Sequence, residues 1–425
     1  MNKKKITDSL NILLQNIVEI DDIENPCRGS YFITTLRISI NHNKYIRLAL
    51  PSDYYGVFNE LLSEIYKSKD FASTISRRTF SQKLQSFLFE SKKLACLDGN
   101  MVYCNLITMF NEMELKDIVV FHKVFGMTLG GSEFAKIGDF TFYDMSHESV
   151  RNHIIHTYTD NSKYYEDNIQ MLEGHDIWVS TVIKSRDSEK AREVAYEKFE
   201  SLQNVIRFLI SFENDYPSWS KYDVGIFNLM EHNFSESVIL GDGRPWEKHD
   251  THIKYKPIDF YLLNLDSLFP KGVSFVGIIA ILCKDTKSKM EERLLSAINF
   301  YGRASYNQIR SISIIESMMA IEALLNGQYD EFLTQGIAAQ ISEGCAFILG
   351  ENQESRIEIA KFVKKLYKLR SKAAHGSDSR AFSKDSLIAL DYTRELIVRF
   401  LVDEELCQLK NYKDLEKYIA KKKYQ

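Results

Sequence analysis

An arginine and a histidine five residues apart, Arg370 and His375, close the run RIEIAKFVKKLYKLRSKAAHG that extends from Arg356 to Gly376. A guanidinium is a permanent, planar fork that can grip two phosphate oxygens at once. An imidazole gives or takes a proton near neutrality. RNA brings its own nucleophile, the 2′-hydroxyl, so cleaving it needs little more than a group that moves protons and a cation that stabilises charge on the phosphorane. That chemistry requires neither metal nor cofactor. At about 100° per residue, Ile359, Phe362, Val363, Leu366, Leu369 and Ala373 gather on one side of a helix, and Lys361, Lys364, Lys365, Lys368 and Lys372 on the other. Arg370 falls within the apolar side, where a fixed charge is costly unless a carboxylate, a phosphate or a partner subunit receives it. His375 falls on the lysine side. Five residues turn a helix by roughly 140°, so the two groups meet only if Arg370 curls round, the helix ends near Ala374, or they act across an interface. Gly376 is a natural stop.

The spacing R-x4-H, together with LYKLRSKAAHG at 366–376, SIIESMMAIEALL at 313–325 and IAAQISEGCAFILG at 337–350, resembles the HEPN domains, in particular the Apea-like HEPN group of bacterial anti-phage proteins. The resemblance covers only the C-terminal third. It implies a metal-independent endoribonuclease leaving 2′,3′-cyclic phosphate ends, with tRNA among the candidate substrates, at a site where the Arg and His of two protomers face each other in a homodimer. Arg370 would then polarise the scissile phosphate and His375 act as general acid or base. Ser371, where many members carry a polar residue such as Asn, would hydrogen-bond nearby. Lys364, Lys365, Lys368 and Lys372 would guide the RNA backbone. The family also implies abortive infection released by a phage-derived trigger, with a preceding region that senses it or restrains the nuclease.

Two glutamates interrupt the apolar helix expected at 303–326, Glu316 and Glu322. Buried carboxylates want a cationic partner, and Arg370 is the candidate for either. The same R-x4-H spacing recurs at Arg37/His42, Arg151/His156 and Arg244/His249. The first sits in an alternating, strand-like run and the third is interrupted by Pro245; Arg151/His156 is the rival pair. The plain structural alternative is that cations in a last helical turn complement the helix dipole and Arg370 forms an internal salt bridge.

A chain of 425 residues, with 44% apolar and 26% charged residues, supports two or three globular domains. A formal charge of −4 argues against indiscriminate nucleic-acid binding and leaves room for a local basic groove. Six scattered cysteines without a C-x2-C pair, and no secretory segment, fit a reducing cytoplasm with free, mostly buried thiols. The most apolar run, Val273 to Cys283, is too short to span a bilayer, so no membrane partner is expected and the run reads as a buried strand or core element.

The expected fold class is α+β: a mixed N-terminal region followed by an all-α HEPN bundle, divided as 1–170, 171–285 and 286–425. Helical spacing covers 6–20, 53–68 and 78–94, and 31–50 reads as a hairpin about Asn41-His42-Asn43. Strands are expected at 101–109, 117–124, 138–143 and 177–183, and a long helix at 187–213. Helices are then expected at 287–300, 303–326, 331–349, 353–375 and 384–403, with a basic tail helix. The helix at 303–326, apolar nearly all round, is expected to be the buried centre of the bundle. Two other functions compete: a non-catalytic HEPN scaffold that binds RNA, nucleotide or protein and signals by dimerisation, and a metal hydrolase built on His249 and His252, with His232, Glu247 and Asp250 nearby.

Overall fold

The computed structural model describes residues 2–20, 32–41, 44–67, 69–95, 98–158, 177–213, 222–226, 236–239, 247–250, 256–307, 309–327, 336–375 and 383–424. The chain forms two compact units, one of Met1–Val120 with Val182–Tyr196, the other of Phe121–Thr181 with Glu197–Gln425. Both boundaries expected from the sequence, at 170 and 285, fall within the span of the second unit. The fold is α+β, with small sheets in the N-terminal half and a helical C-terminal region.

In the first unit, helix α1 (Lys3–Asn16) is capped by the Asn2 side chain, which accepts from the Lys5 amide, and buries Ile6, Leu10, Leu13 and Leu14. Strands β1 (Val18–Ile20), β2 (Phe32–Asn41) and β3 (Lys44–Pro51) form an antiparallel sheet in the order β1-β3-β2. Helices α2 (Tyr55–Tyr66), α3 (Lys69–Thr74), α4 (Arg77–Lys93) and α5 (Gly99–Glu112) complete the core. Phe80 and Phe110 stack there with ring centroids 4.0 Å apart. Residues 101–109, expected as a strand, lie in α5. Val102, Leu106 and Phe110 bury one helical face, and the apolar residues between them that mimic a strand pattern stay partly exposed. The returning segment is fastened to this core: the Ser76 amide donates to Asp187 Oδ2 at 2.8 Å, and Arg186 donates to the carbonyls of Phe110, Asn111 and Met113.

Strands β4 (Lys116–Val124), β5 (Met127–Thr128), β6 (Phe134–Ile137), β7 (Phe140–Asp144) and β8 (Ile177–Ser185) follow, with α6 (Glu148–Tyr158) before β8; the four-stranded sheet runs β4-β8-β7-β6. In the second unit Phe142 stands opposite Ala135 on one side and Val179 on the other. Phe140 and Phe142 are fully buried, Phe140 beside Phe199 of α7 (Ser188–Ile210). Strands β9 (Glu236–Ile239) and β10 (Glu247–Asp250) pair with each other, and β11 (Ile258–Asp259) pairs in parallel with β5. The apolar run from Val273 is a helix, α8 (Phe275–Leu282), opened by a Ser274 cap, and not a strand.

The bundle comprises α9 (Lys289–Tyr306), α10 (Arg310–Leu325), α11 (Ile337–Leu349), α12 (Gln353–Ala374), α13 (Ser383–Val402) and α14 (Tyr412–Lys423). The break expected at 301–302, between helices at 287–300 and 303–326, falls instead at Asn307, which leaves the helical conformation at the end of α9 while its Oδ1 accepts the Ile309 amide. Nor is α10 buried all round. Ile314, Met318, Ile321 and Leu325 are buried, whereas Ile309 is 55% and Ile312 37% exposed. Of the cysteines that are described, Cys104 and Cys407 are exposed and only Cys345 is fully buried, against the expectation of mostly buried thiols.

Candidate functional site

Helix α12 is the element that carries the pair. Asn352 caps its start and, with Ser355, forms a capping box. Ile359, Val363 and Leu366 are buried, as the periodicity predicts. Its last residue is Ala374, and His375 is the cap: the His375 amide donates to the Ser371 and Lys372 carbonyls at 3.2 Å each. Gly376 lies outside the described residues.

Arg370 turns toward α10. Its Nη2 lies 3.4 Å from Glu322 Oε2, with the arginine side chain 34% and the glutamate side chain 18% exposed. The guanidinium carbon sits 5.8 Å from the centre of the Tyr367 ring, one turn earlier. Burial pushes the Glu322 carboxyl above its ordinary range and Arg370 draws it back. Among the described residues, Oε1 of Glu322 is buried without a hydrogen-bond partner. Arg370 thus lies against the packed face by pairing its charge with a carboxylate, leaving part of the fork in solvent.

Glu316 has a different partner. Arg303 of α9 approaches it at 3.3 Å through Nε and donates through Nη1 to Glu200 Oε1 at 3.1 Å. The Glu316 carboxyl is likewise pushed up by burial and drawn back by Arg303. Arg303 is therefore a second half-exposed arginine clasping a glutamate of α10, and the sequence pattern did not single it out. A signal existed. Phe300 precedes Arg303 by three residues as Tyr367 precedes Arg370, and the Arg303 guanidinium lies 4.8 Å over the Phe300 ring.

Five residues along, His375 and Ser371 are both exposed. Among the described residues no hydrogen bond or ion pair joins Arg370 to His375 or to Ser371. The lysines divide. Lys365 Nζ is held 2.5 Å from Asp385 Oδ1 at the start of α13, Lys364 lines a groove against α11, and Lys368 and Lys372 are exposed.

The rival arginine serves its own neighbourhood, with Arg151 Nη1 donating to the Met145 carbonyl just before α6. Arg37 lies in β2 and His249 in β10 opposite Ser237, while His42, Arg244, His232 and His252 lie outside the described residues. Among the described residues, no group of three His, Cys, Asp or Glu side chains is arranged to hold a metal ion, and no helix is long and apolar enough to cross a membrane. No family model matches this chain, and neither a curated protein nor a solved structure matches it.

Proposed function

We propose that the protein is a metal-independent endoribonuclease of the HEPN type, acting in the cytoplasm as a homodimer in bacterial anti-phage defence, with a trigger-sensing or restraining role for residues 1–285. The observation that carries the reading is the combination at the end of α12: a half-exposed guanidinium backed by a half-buried carboxylate, and an exposed imidazole at the cap of the same helix. The glutamate orients the fork while leaving nitrogens to meet a phosphate. His375, with its ring in solvent, can exchange protons with a 2′-hydroxyl or a leaving 5′-oxygen. The two groups diverge around the helix, so a second protomer would supply the complementary half of each site. The exposed Ile309, just before neighbouring α10, and Ile312 in its first turn offer apolar surface for it.

Cleavage of total tRNA and a mixed RNA pool in EDTA tests the reading. Arg370→Ala and His375→Ala should each reduce cleavage by about 100-fold or more, and Arg151→Ala should leave it intact in any variant that remains folded. Undiminished cleavage by Arg370→Ala would remove the site. The scaffold reading draws on one observation, that Glu322 already neutralises Arg370. It moves to the front if wild-type protein, given infected-cell extract as trigger, binds RNA and cleaves none.

A further inference from the structure

The groove between α11 and α12 has three alanines in its lining and is bordered by cations. About 460 Å³ of space lies over Ala339, Ala346 and Ala360, with Arg356 and Lys364 along the α12 edge. The one carboxylate of the lining, Glu343, is already paired with Lys423 at 2.6 Å. Arg356 is fixed from behind: its Nε donates to the Gly350 carbonyl at 3.2 Å and its guanidinium carbon lies 5.0 Å over the Phe347 ring. Among the described residues neither the terminal nitrogens of Arg356 nor Lys364 Nζ have an ionic or hydrogen-bond partner. The groove therefore carries uncompensated positive charge over an apolar floor.

The spacing continues beyond the groove. Arg356, Ala360, Lys364, Lys368 and Lys372 follow one another every four residues, a row that rises about 6 Å and turns about 40° at each step, winding round α12 toward the end of the helix that carries Arg370 and His375. Lys365, the lysine pinned to Asp385, lies off this row. We infer that the α11–α12 groove is the binding track for a single-stranded segment of the RNA, with Arg356 and Lys364 holding phosphates and the alanine floor, rimmed by the 45% exposed Ile357, receiving base faces. A single strand fits because its bases are free to turn onto an apolar surface, whereas a duplex keeps them stacked inside. An acidic helix from a protein could answer the charge within the groove, but nothing in it would require the row to run on to Lys372. The inference rests on the nuclease reading for its substrate and adds the strand's path.

Binding and cleavage are measured separately so that the two claims can fail separately. Affinity for a fluorescent, 2′-O-methylated single-stranded RNA, which cannot be cleaved, is followed by anisotropy across salt concentrations. The proteins are wild type, Lys364→Glu, Ala360→Phe, which fills the floor, and, as control, Lys289→Glu at the exposed start of α9. Thermal melts identify any variant that has lost its fold. Lys364→Glu and Ala360→Phe should each weaken binding about tenfold, Lys364→Glu should lower the salt slope by about 0.7 because one phosphate is no longer neutralised, and Lys289→Glu should change affinity less than twofold. On cleavable RNA the same two variants should raise KM with kcat unchanged. Folded groove variants that bind RNA as wild type does overturn the track, whatever Arg370→Ala does to cleavage; loss of self-association instead would assign the groove to a protein partner. If the track variants lose binding while Arg370→Ala still cleaves, the track stands and the catalytic reading falls.

Discussion

Glu316 and Glu322 are six residues apart on α10, yet they are held by arginines from different helices, Arg303 of α9 and Arg370 of α12. Both carboxyls are raised above the ordinary glutamate range, with burial the largest cause and the arginine opposing it. A raised carboxyl binds its proton more tightly in the folded state than in the unfolded one. Its contribution to stability is therefore fully present below the unfolded value and is lost as pH rises through the folded value. Glu316→Gln removes that loss while Arg303 keeps Glu200. The variant should melt within error of wild type at pH 4 and above it at pH 7, by on the order of 1 kcal/mol or about 2–4 °C. A variant less stable than wild type at pH 7 would mean that the Arg303 pairing outweighs the burial of the charge. Glu322 obeys the same sign rule, but Glu322→Gln would also release Arg370, so its effect on cleavage reports how far orientation of the fork matters.

At the scale of elements, α10 is the helix on which the site depends, and its outer side is where pattern and structure part. Glu316 and Glu322 are about 120° apart around the axis, and Ile312, Ile315 and Met319 lie in the arc between them. Ile315 and Met319 are half-buried and Ile312 is exposed, so the arc reaches solvent between the two arginine pairs. A second copy of the chain covering this arc predicts that Ile312→Glu leaves the melting temperature nearly unchanged, as exposed substitutions do, and converts a dimer to monomer by light scattering. A strict monomer in the wild type at every concentration would remove the composite site. The apolar stripe of α12 and the expectation that it ends near Ala374 were readable because capping residues and helical spacing agree locally. The place of the break between α9 and α10 was not, because no glycine or proline marks it and Asn307 ends the helix through local bonds such as that of its side chain to the Ile309 amide. Helix α5 looked like a strand, and α8 was open to a strand or another core element, for a related reason: in α5 apolar residues flank the buried stripe of Val102, Leu106 and Phe110, and in α8 they leave no polar face, so periodicity does not separate the two states. In the site, the apolar position of Arg370 announced a carboxylate partner, but which glutamate depended on the placement of α9, which residue spacing does not encode.

For the whole molecule, the division of the chain carries the question of control. The first unit takes up 182–196, the end of β8 and the start of α7, a long-range return that no local signal marks. Asp187 and Arg186 fasten that return through one backbone amide and three backbone carbonyls. At the middle of this unit Phe110 is fully buried and stacked on Phe80. Phe110→Ala should cost about 3–5 kcal/mol, the transfer term plus the cavity left behind, and a unit of ordinary stability then approaches its unfolding threshold near growth temperature. Arg370, His375 and Glu322 all belong to the second unit, so their chemistry does not require Phe110. If the N-terminal region restrains the nuclease, warming Phe110→Ala through the melting of the first unit should raise cleavage of mixed RNA in EDTA without any trigger, and adding Arg370→Ala should abolish the gain. Cleavage that stays at the wild-type level while circular dichroism records the loss of that unit would place restraint outside the first unit.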